Sequence, residues 1–117
     1  MRLQVKGKNV EVTPSIRDFA ERKLAKLGKQ LAEQTQVELE LSEQRNPSIA
    51  ASQVAEATVF TKGPTLRARE ASPDMKASID QLAAKLERQV KRYRERRTVE
   101  PRRHAEHNNM EPRGDAA

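Results

Sequence analysis

Cysteine and tryptophan are both absent from the 117 residues. Without cysteine there are no disulfides and no thiolate metal sites, which fits a reducing cytoplasmic compartment. Aromatic residues are scarce: Phe19, Phe60 and Tyr93 are the only three. Proteins that hold single-stranded nucleic acid stack bases on exposed rings. Three rings, at least one of which the core needs, argue against that mode. No run of about 18 apolar residues occurs, so nothing reads as a membrane span. The opening MRLQVKGKNVEV alternates like a strand and lacks the apolar core of a signal peptide.

Catalytic signatures are missing too. There is no glycine-rich phosphate loop, no nucleophile constellation and no convergent carboxylate pair, so the sequence reads as a non-enzyme with no small-molecule substrate. Asp74 and Asp80 read as a helix cap and a surface residue. His104 and His107 are the only histidines. Their +3 spacing suits metal ligation on a helix, but they fall where all periodicity has ended. The expectation is therefore no metal and no cofactor.

What the chain has in abundance is charge. Lys and Arg number 23 against 17 Asp and Glu, a net charge of +6. A basic excess favours polyanions: nucleic acid, anionic membrane or acidic proteins. With so few rings, readout of structured RNA by charge and shape fits better than base stacking. A membrane-surface helix drawn from residues 85–97 would lack Trp and Phe on its apolar face and would have to leave the core. The reading excludes a membrane partner.

Periodicity orders the elements. Leu3, Val5, Val10 and Val12 alternate with polar residues, giving a first strand over 2–8 and a turn around Gly7–Asn9. Thr13 and Pro14 read as N-cap and first helical residue. A helix over 14–32 follows, with Ile16, Phe19, Ala20, Leu24, Leu27 and Leu31 on one face and Gly28 weakening its last turn. QVELELSE at 36–43 alternates strictly, a strand buried on one face only. A loop over 44–49, a strand over 51–61, a tight link at Lys62–Pro64 and a strand over 65–71 come next. Ala55, Ala57, Val59, Leu66 and Ala68 point inward, while Glu56, Thr58, Arg67 and Arg69 point outward. Ser72 and Pro73 repeat the cap logic for a helix over 73–97, whose stripe is Met75, Ile79, Leu82, Leu86, Val90 and Tyr93. Pro101 and the mixed composition after it predict a disordered tail over 98–117. The expected fold is α+β: a β-α-β-β-β-α two-layer sandwich, a four-stranded sheet with both helices on one face.

The basic residues are patterned on that frame. Arg22, Lys26 and Lys29 form one stripe on the first helix. Lys85, Arg88, Arg92 and Arg96 form another on the second helix, on what reads as the corresponding flank. Two ridges with a groove between them would meet phosphates on two RNA strands. Arg67 and Arg69 would extend positive potential to the sheet edge, and Glu38, Glu40 and Glu56 would make the bare sheet face acidic.

Three segments resemble a known family. They are Gly7-Lys8-Asn9-Val10-Glu11-Val12-Thr13-Pro14, then Ala55-Glu56-Ala57-Thr58-Val59, then Asp74-Met75-Lys76-Ala77-Ser78-Ile79-Asp80 followed by Lys85–Tyr93. In order and spacing they are similar to the ribosome hibernation-promoting (ribosome-associated inhibitor) family over about residues 1–97. The resemblance implies a ribosome-binding domain over 1–97, with a fold related to double-stranded RNA-binding domains. It also implies binding to the small ribosomal subunit's rRNA at the decoding region, blocking mRNA and tRNA and silencing idle ribosomes. Family contacts come from the two helices, and the matching positions are Arg22, Lys23, Lys26, Lys85, Arg88, Lys91 and Arg92. With Lys29 and Arg96 from the stripes, these make nine expected RNA-binding residues. Two departures stand out. Lys76 replaces the tyrosine of the family's Asp-Met-Tyr-Ala-Ala-Ile-Asp box. The C-terminal dimerisation domain of long members has no counterpart in these residues, so the sequence reads as a short form or the N-terminal part of a longer one. Involvement in ribosome dimers is left open by that departure. The rival reading is a generic structured-RNA-binding module of another pathway.

Overall fold

The computed structural model describes residues 1–44 and 50–103, with residues 97–103 described by their backbone alone. The chain runs β1 (Arg2–Gly7), α1 (Pro14–Leu24), a 3-10 helix (Ala25–Lys29), β2 (Gln36–Glu43), β3 (Gln53–Phe60), β4 (Thr65–Ser72) and α2 (Met75–Arg103). The β-α-β-β-β-α order is the expected one. The strands form one sheet in the order β1-β2-β3-β4. β1 and β2 are parallel, a pairing that needs a crossover, and α1 supplies it. β2, β3 and β4 are successive antiparallel neighbours.

Strand alternation decides which face is buried. Val37, Leu39 and Leu41 of β2 and Ala55, Ala57 and Val59 of β3 are fully buried, with Val5 and Ala68 beside them. The register sets Val5, Leu39, Ala57 and Ala68 in one row across all four strands. Against these rows lie Ala20, Leu24 and Leu27 from the first helical segment and Met75, Ile79, Leu82, Ala83, Leu86 and Val90 from α2, in a single apolar cluster. Each fully buried Leu or Ile contributes about 1.5–3 kcal/mol. α2 packs on β3 and β4, and α1 lies beside α2 toward β1.

The two helix-containing motifs turn out to be built for structure. A Cβ on Gly7 would overlap the carbonyl oxygen of Val10, so only glycine lets the chain turn there. The Asn9 amide then imitates a strand residue: its Nδ2 donates to the Glu43 carbonyl at 2.9 Å and its Oδ1 accepts from the Glu43 N–H at 2.8 Å. Thr13 caps α1 by accepting from the Ile16 N–H at 3.2 Å, with Pro14 at the first helical position. At the second motif, Ser78 is buried and donates to the Gln53 carbonyl at 2.6 Å, pinning α2 to the start of β3. The Ser72 hydroxyl lies 2.8 Å from the Ser78 hydroxyl and donates to the Asp74 carbonyl.

Several boundaries differ from the sequence-based expectation. The α-helix over 14–32 stops at Leu24 and tightens into the 3-10 helix. With three residues per turn, Leu24 and Leu27 align on one side, and both are buried. Ser72 does not cap α2. It belongs to β4, Pro73 precedes the helix, and the Asp74 carboxylate accepts from the Ala77 N–H at 3.0 Å. Asp74 is the residue immediately before a helix that starts at Met75, which is the position a capping side chain must occupy. Nor does α2 end at residue 97; its backbone continues through Pro101 to Arg103. A 29-residue helix is roughly 43 Å long while an eight-residue strand is roughly 27 Å. The helix therefore outruns the sheet beneath it, and an apolar rhythm marks only the length that is packed, not the end of the helix. The remainder of the expected tail, 104–117 with both histidines, and positions 45–49 of the expected loop lie outside the described residues.

Candidate nucleic-acid interface

The two helices meet along a groove whose sides can be read from four side chains. Lys23 of α1 pairs with Asp80 of α2 at 2.9 Å. Both are well exposed, so the pair stabilises little, but it fixes the flank of α2 that faces α1. Lys85 marks the other flank: its Nζ lies 3.1 Å from the Glu70 carboxylate and donates to the Arg69 carbonyl at 3.3 Å, both in β4. One turn further, the Gln89 amide donates to the Arg67 carbonyl at 2.9 Å. From Asp80 to Lys85 the helix turns by about 500°, leaving them about 140° apart.

Every predicted contact residue finds its place on this frame. Arg22 and Lys26 are exposed on the first helical segment, flanking the Lys23 that pairs across the groove. Lys29 follows Lys26 by three residues in the 3-10 helix, so the two nearly eclipse. On α2, Lys91 falls near the Asp80 line, facing the groove, and Arg88 stands on the crest. Arg92 and Arg96 fall near the Lys85 line, on the outer shoulder beside β4. These four are exposed, and Lys85 is partly covered by β4. The picture of two stripes on corresponding flanks of one groove is therefore corrected. The α1 stripe borders the groove, whereas Lys85, Arg92 and Arg96 lie across the crest from it. A helical wheel gives a residue's offset from the apolar face but not which neighbour occupies that side. The result is a band of cations over the top of α2 rather than two facing ridges.

Lys76, outside the expected set, lies beside it. Its Nζ lies 5.7 Å from the centre of the Phe19 ring, which also has Lys23 Nζ at 5.5 Å and Arg22 Cζ at 6.0 Å. Lys76 precedes Asp80 by four residues, so the ion pair that turns Asp80 toward α1 turns Lys76 that way as well. Phe19, expected in the core, is only half buried for the same reason: it forms the floor of this cluster.

Charge separates the two faces of the domain. Residues 14–29 and 75–96, the helix layer, carry twelve Lys and Arg against five Asp and Glu. The uncovered sheet face carries Arg2, Lys6, Arg67 and Arg69 against Glu38, Glu40 and Glu56. Its central row runs Lys6, Glu40, Glu56, Arg69 across the four strands. The sheet face is thus near balance, with acids in the middle and bases at both edges, and not acidic as expected. The register sets Lys6 and Arg69 at the two ends of the row that holds Glu40 and Glu56, so the bases at the edges offset the acids between them. Among the described residues, no group of three or more His, Asp or Glu side chains is arranged to hold a metal ion.

A two-layer α+β domain that gathers its cations on the helices and balances its charges on the sheet is a domain with one strongly basic side. The chain belongs to the Sigma 54 modulation protein / S30EA ribosomal protein family, whose family model matches residues 3–98. A protein of Picosynechococcus named ribosome hibernation promotion factor is 39% identical over 97 residues, covering 82% of this chain and 50% of that one. A ribosome hibernation promoting factor of Klebsiella oxytoca is 33% identical over 96 residues, covering 82% of this chain and 96% of that one. This chain therefore spans half the length of the first relative and nearly all of the second. In solved structures, the Protein Y N-terminal domain of Thermus thermophilus superposes with a TM-score of 0.68 at 33% identity, covering 80% of this chain and 99% of that one. A ribosomal subunit interface protein from Coxiella burnetii gives a TM-score of 0.68 at 25% identity, covering 80% of this chain and 98% of that one.

Proposed function

We propose that this protein is a ribosome hibernation factor: a cytoplasmic, non-enzymatic binding protein that docks its helix layer on the rRNA of the small subunit. Seated at the decoding region, it would block mRNA and tRNA and keep idle ribosomes from translating. The names of its relatives support the ribosome as partner. The observation that carries the choice of face is the charge division, twelve cations against five anions on the helices and near balance on the sheet. Each Lys or Arg that meets a phosphate releases counterions, so binding weakens steeply with salt. Arginines such as Arg88 and Arg92 can also fork onto phosphate oxygens.

The test reverses Arg88 and Arg92 to Glu and follows co-sedimentation with small subunits. Both side chains are exposed, so the fold is left intact. Affinity should fall tenfold or more, about 1.4 kcal/mol at least. Binding that stays unchanged at moderate salt would refute the assigned face. In a cell-free translation reaction, saturating protein should suppress initiation. Undiminished initiation with the subunits fully occupied would leave only a generic RNA-binding role.

A further inference from the structure

Lys76 stands where the fold has no use for a cation. It is the second residue of α2, whose first turn contains no acidic residue. The partial positive charge of a helix N-terminus disfavours an ammonium group there. Asp74 already caps the helix, and Met75, Ser78 and Ile79 already anchor it in the core. Across the groove, Lys76 shares the Phe19 ring with Arg22 and Lys23, all within 6.0 Å of its centre. Any two of these charges are therefore closer than twice that distance. Asp80 offsets one of them, through Lys23; no ion pair joins Arg22 or Lys76 to a carboxylate among the described residues. One ring attracts each cation through its quadrupole, but the cations repel one another. The arrangement costs the free domain stability and holds three donors ready at the mouth of the groove. Donors held in advance lose less freedom when an anion arrives.

We propose that Arg22, Lys23 and Lys76, gathered around Phe19, form one phosphate-binding locus that bridges the two helices, with Lys76 contacting the RNA backbone directly. The inference rests on the ribosome-binding reading above and adds to it the place where both helices grip one phosphate. It has a signature that a solvated surface lysine lacks. Removing the Lys76 charge should leave the free domain as stable or more stable, yet weaken its hold on RNA.

The experiment pairs thermal melts of the free protein with co-sedimentation on small subunits across a salt series, for the wild type, Lys76→Gln and the Arg88→Glu/Arg92→Glu variant. Lys76→Gln should melt no lower than the wild type and bind roughly three- to tenfold more weakly at about 0.1 M salt. The slope of log affinity against log salt should shrink by roughly 0.7–0.9, one phosphate's share. If Lys76→Gln binds within twofold of the wild type with the same slope, while the arginine variant loses binding, the locus is wrong and the helix-face reading stands. A Lys76→Gln protein that melts earlier and binds weakly assigns Lys76 a structural role and also overturns the locus. Failure of the wild type to sediment with subunits, or full binding by the arginine variant, removes the helix-face reading and the locus with it.

Discussion

The helix layer and the bare sheet face are built from equally charged-looking stretches of sequence, yet they solve opposite problems. On the sheet, the central row sets opposite charges one strand apart at both edges: Lys6 beside Glu40, Glu56 beside Arg69. On the helices, among the described residues, Lys23 and Lys85 have carboxylate partners, whereas exposed cations such as Arg88 and Lys91 have no ion pair to one. A surface arranged for stability alone would spread its signs, as the sheet does. Unbalanced cations repel one another and are tolerated where a partner supplies the missing charge. The comparison thus separates a face whose charges the fold balances from a face whose charges it leaves in excess.

The strongest way to break this comparison is to remove what holds the layers together. Leu82 is fully buried between α2 and the sheet, so Leu82→Ala should destabilise the domain by about 2–5 kcal/mol in chemical denaturation. A change under about half a kcal/mol would move Leu82 to the surface and dissolve the two-layer register. Ser78→Ala comes next. It removes the side-chain donor to the part-buried Gln53 carbonyl and the contact with the Ser72 hydroxyl, and should cost about 1–3 kcal/mol. A neutral result would mean that the motif serine is not the pin between α2 and β3.

Smaller effects sharpen the contrast between faces. Arg67→Gln with Arg69→Gln removes two charges from the sheet face, as large a local change as many on the helices. Their binding to small subunits should stay within about threefold of the wild type. A loss matching that of the Arg88/Arg92 reversal would show that total charge, not one face, governs binding. The least effect is expected at Glu40, which sits directly opposite Glu56. Like charges directly opposite are destabilising, so Glu40→Gln should raise stability by a few tenths of a kcal/mol or leave it level. A clear drop would mean that the pairing with Lys6 outweighs the repulsion.

Much of this molecule is legible in its sequence. The strict alternation of Val37, Leu39 and Leu41 sets one face of β2, and the 3–4 spacing of Ile79, Leu82 and Leu86 sets the buried side of α2. Thr13 and Pro14 announce the start of α1. Periodicity records burial, and burial is what these residues share. The rest depends on neighbours. Whether Lys85 or Lys91 looks at α1 is decided by where β4 lies, a contact between distant parts of the chain. The 3-10 tightening after Leu24 follows from the need to bury Leu27, which the local sequence expresses equally well as a longer α-helix. Lys76 was passed over because it lies off the α2 stripe; only the Lys23–Asp80 pair reveals that its side of the helix faces Phe19.

The two donors that α2 lowers onto β4 reach beyond the packing of one domain. The Lys85 ammonium and the Gln89 amide occupy carbonyls that the last strand of a sheet would otherwise offer to any passing chain. At the opposite border, β1 turns Arg2 and Lys6 outward, and charges of one sign keep a second copy at a distance. A sheet with both borders guarded in this way resists growing strand by strand into fibres.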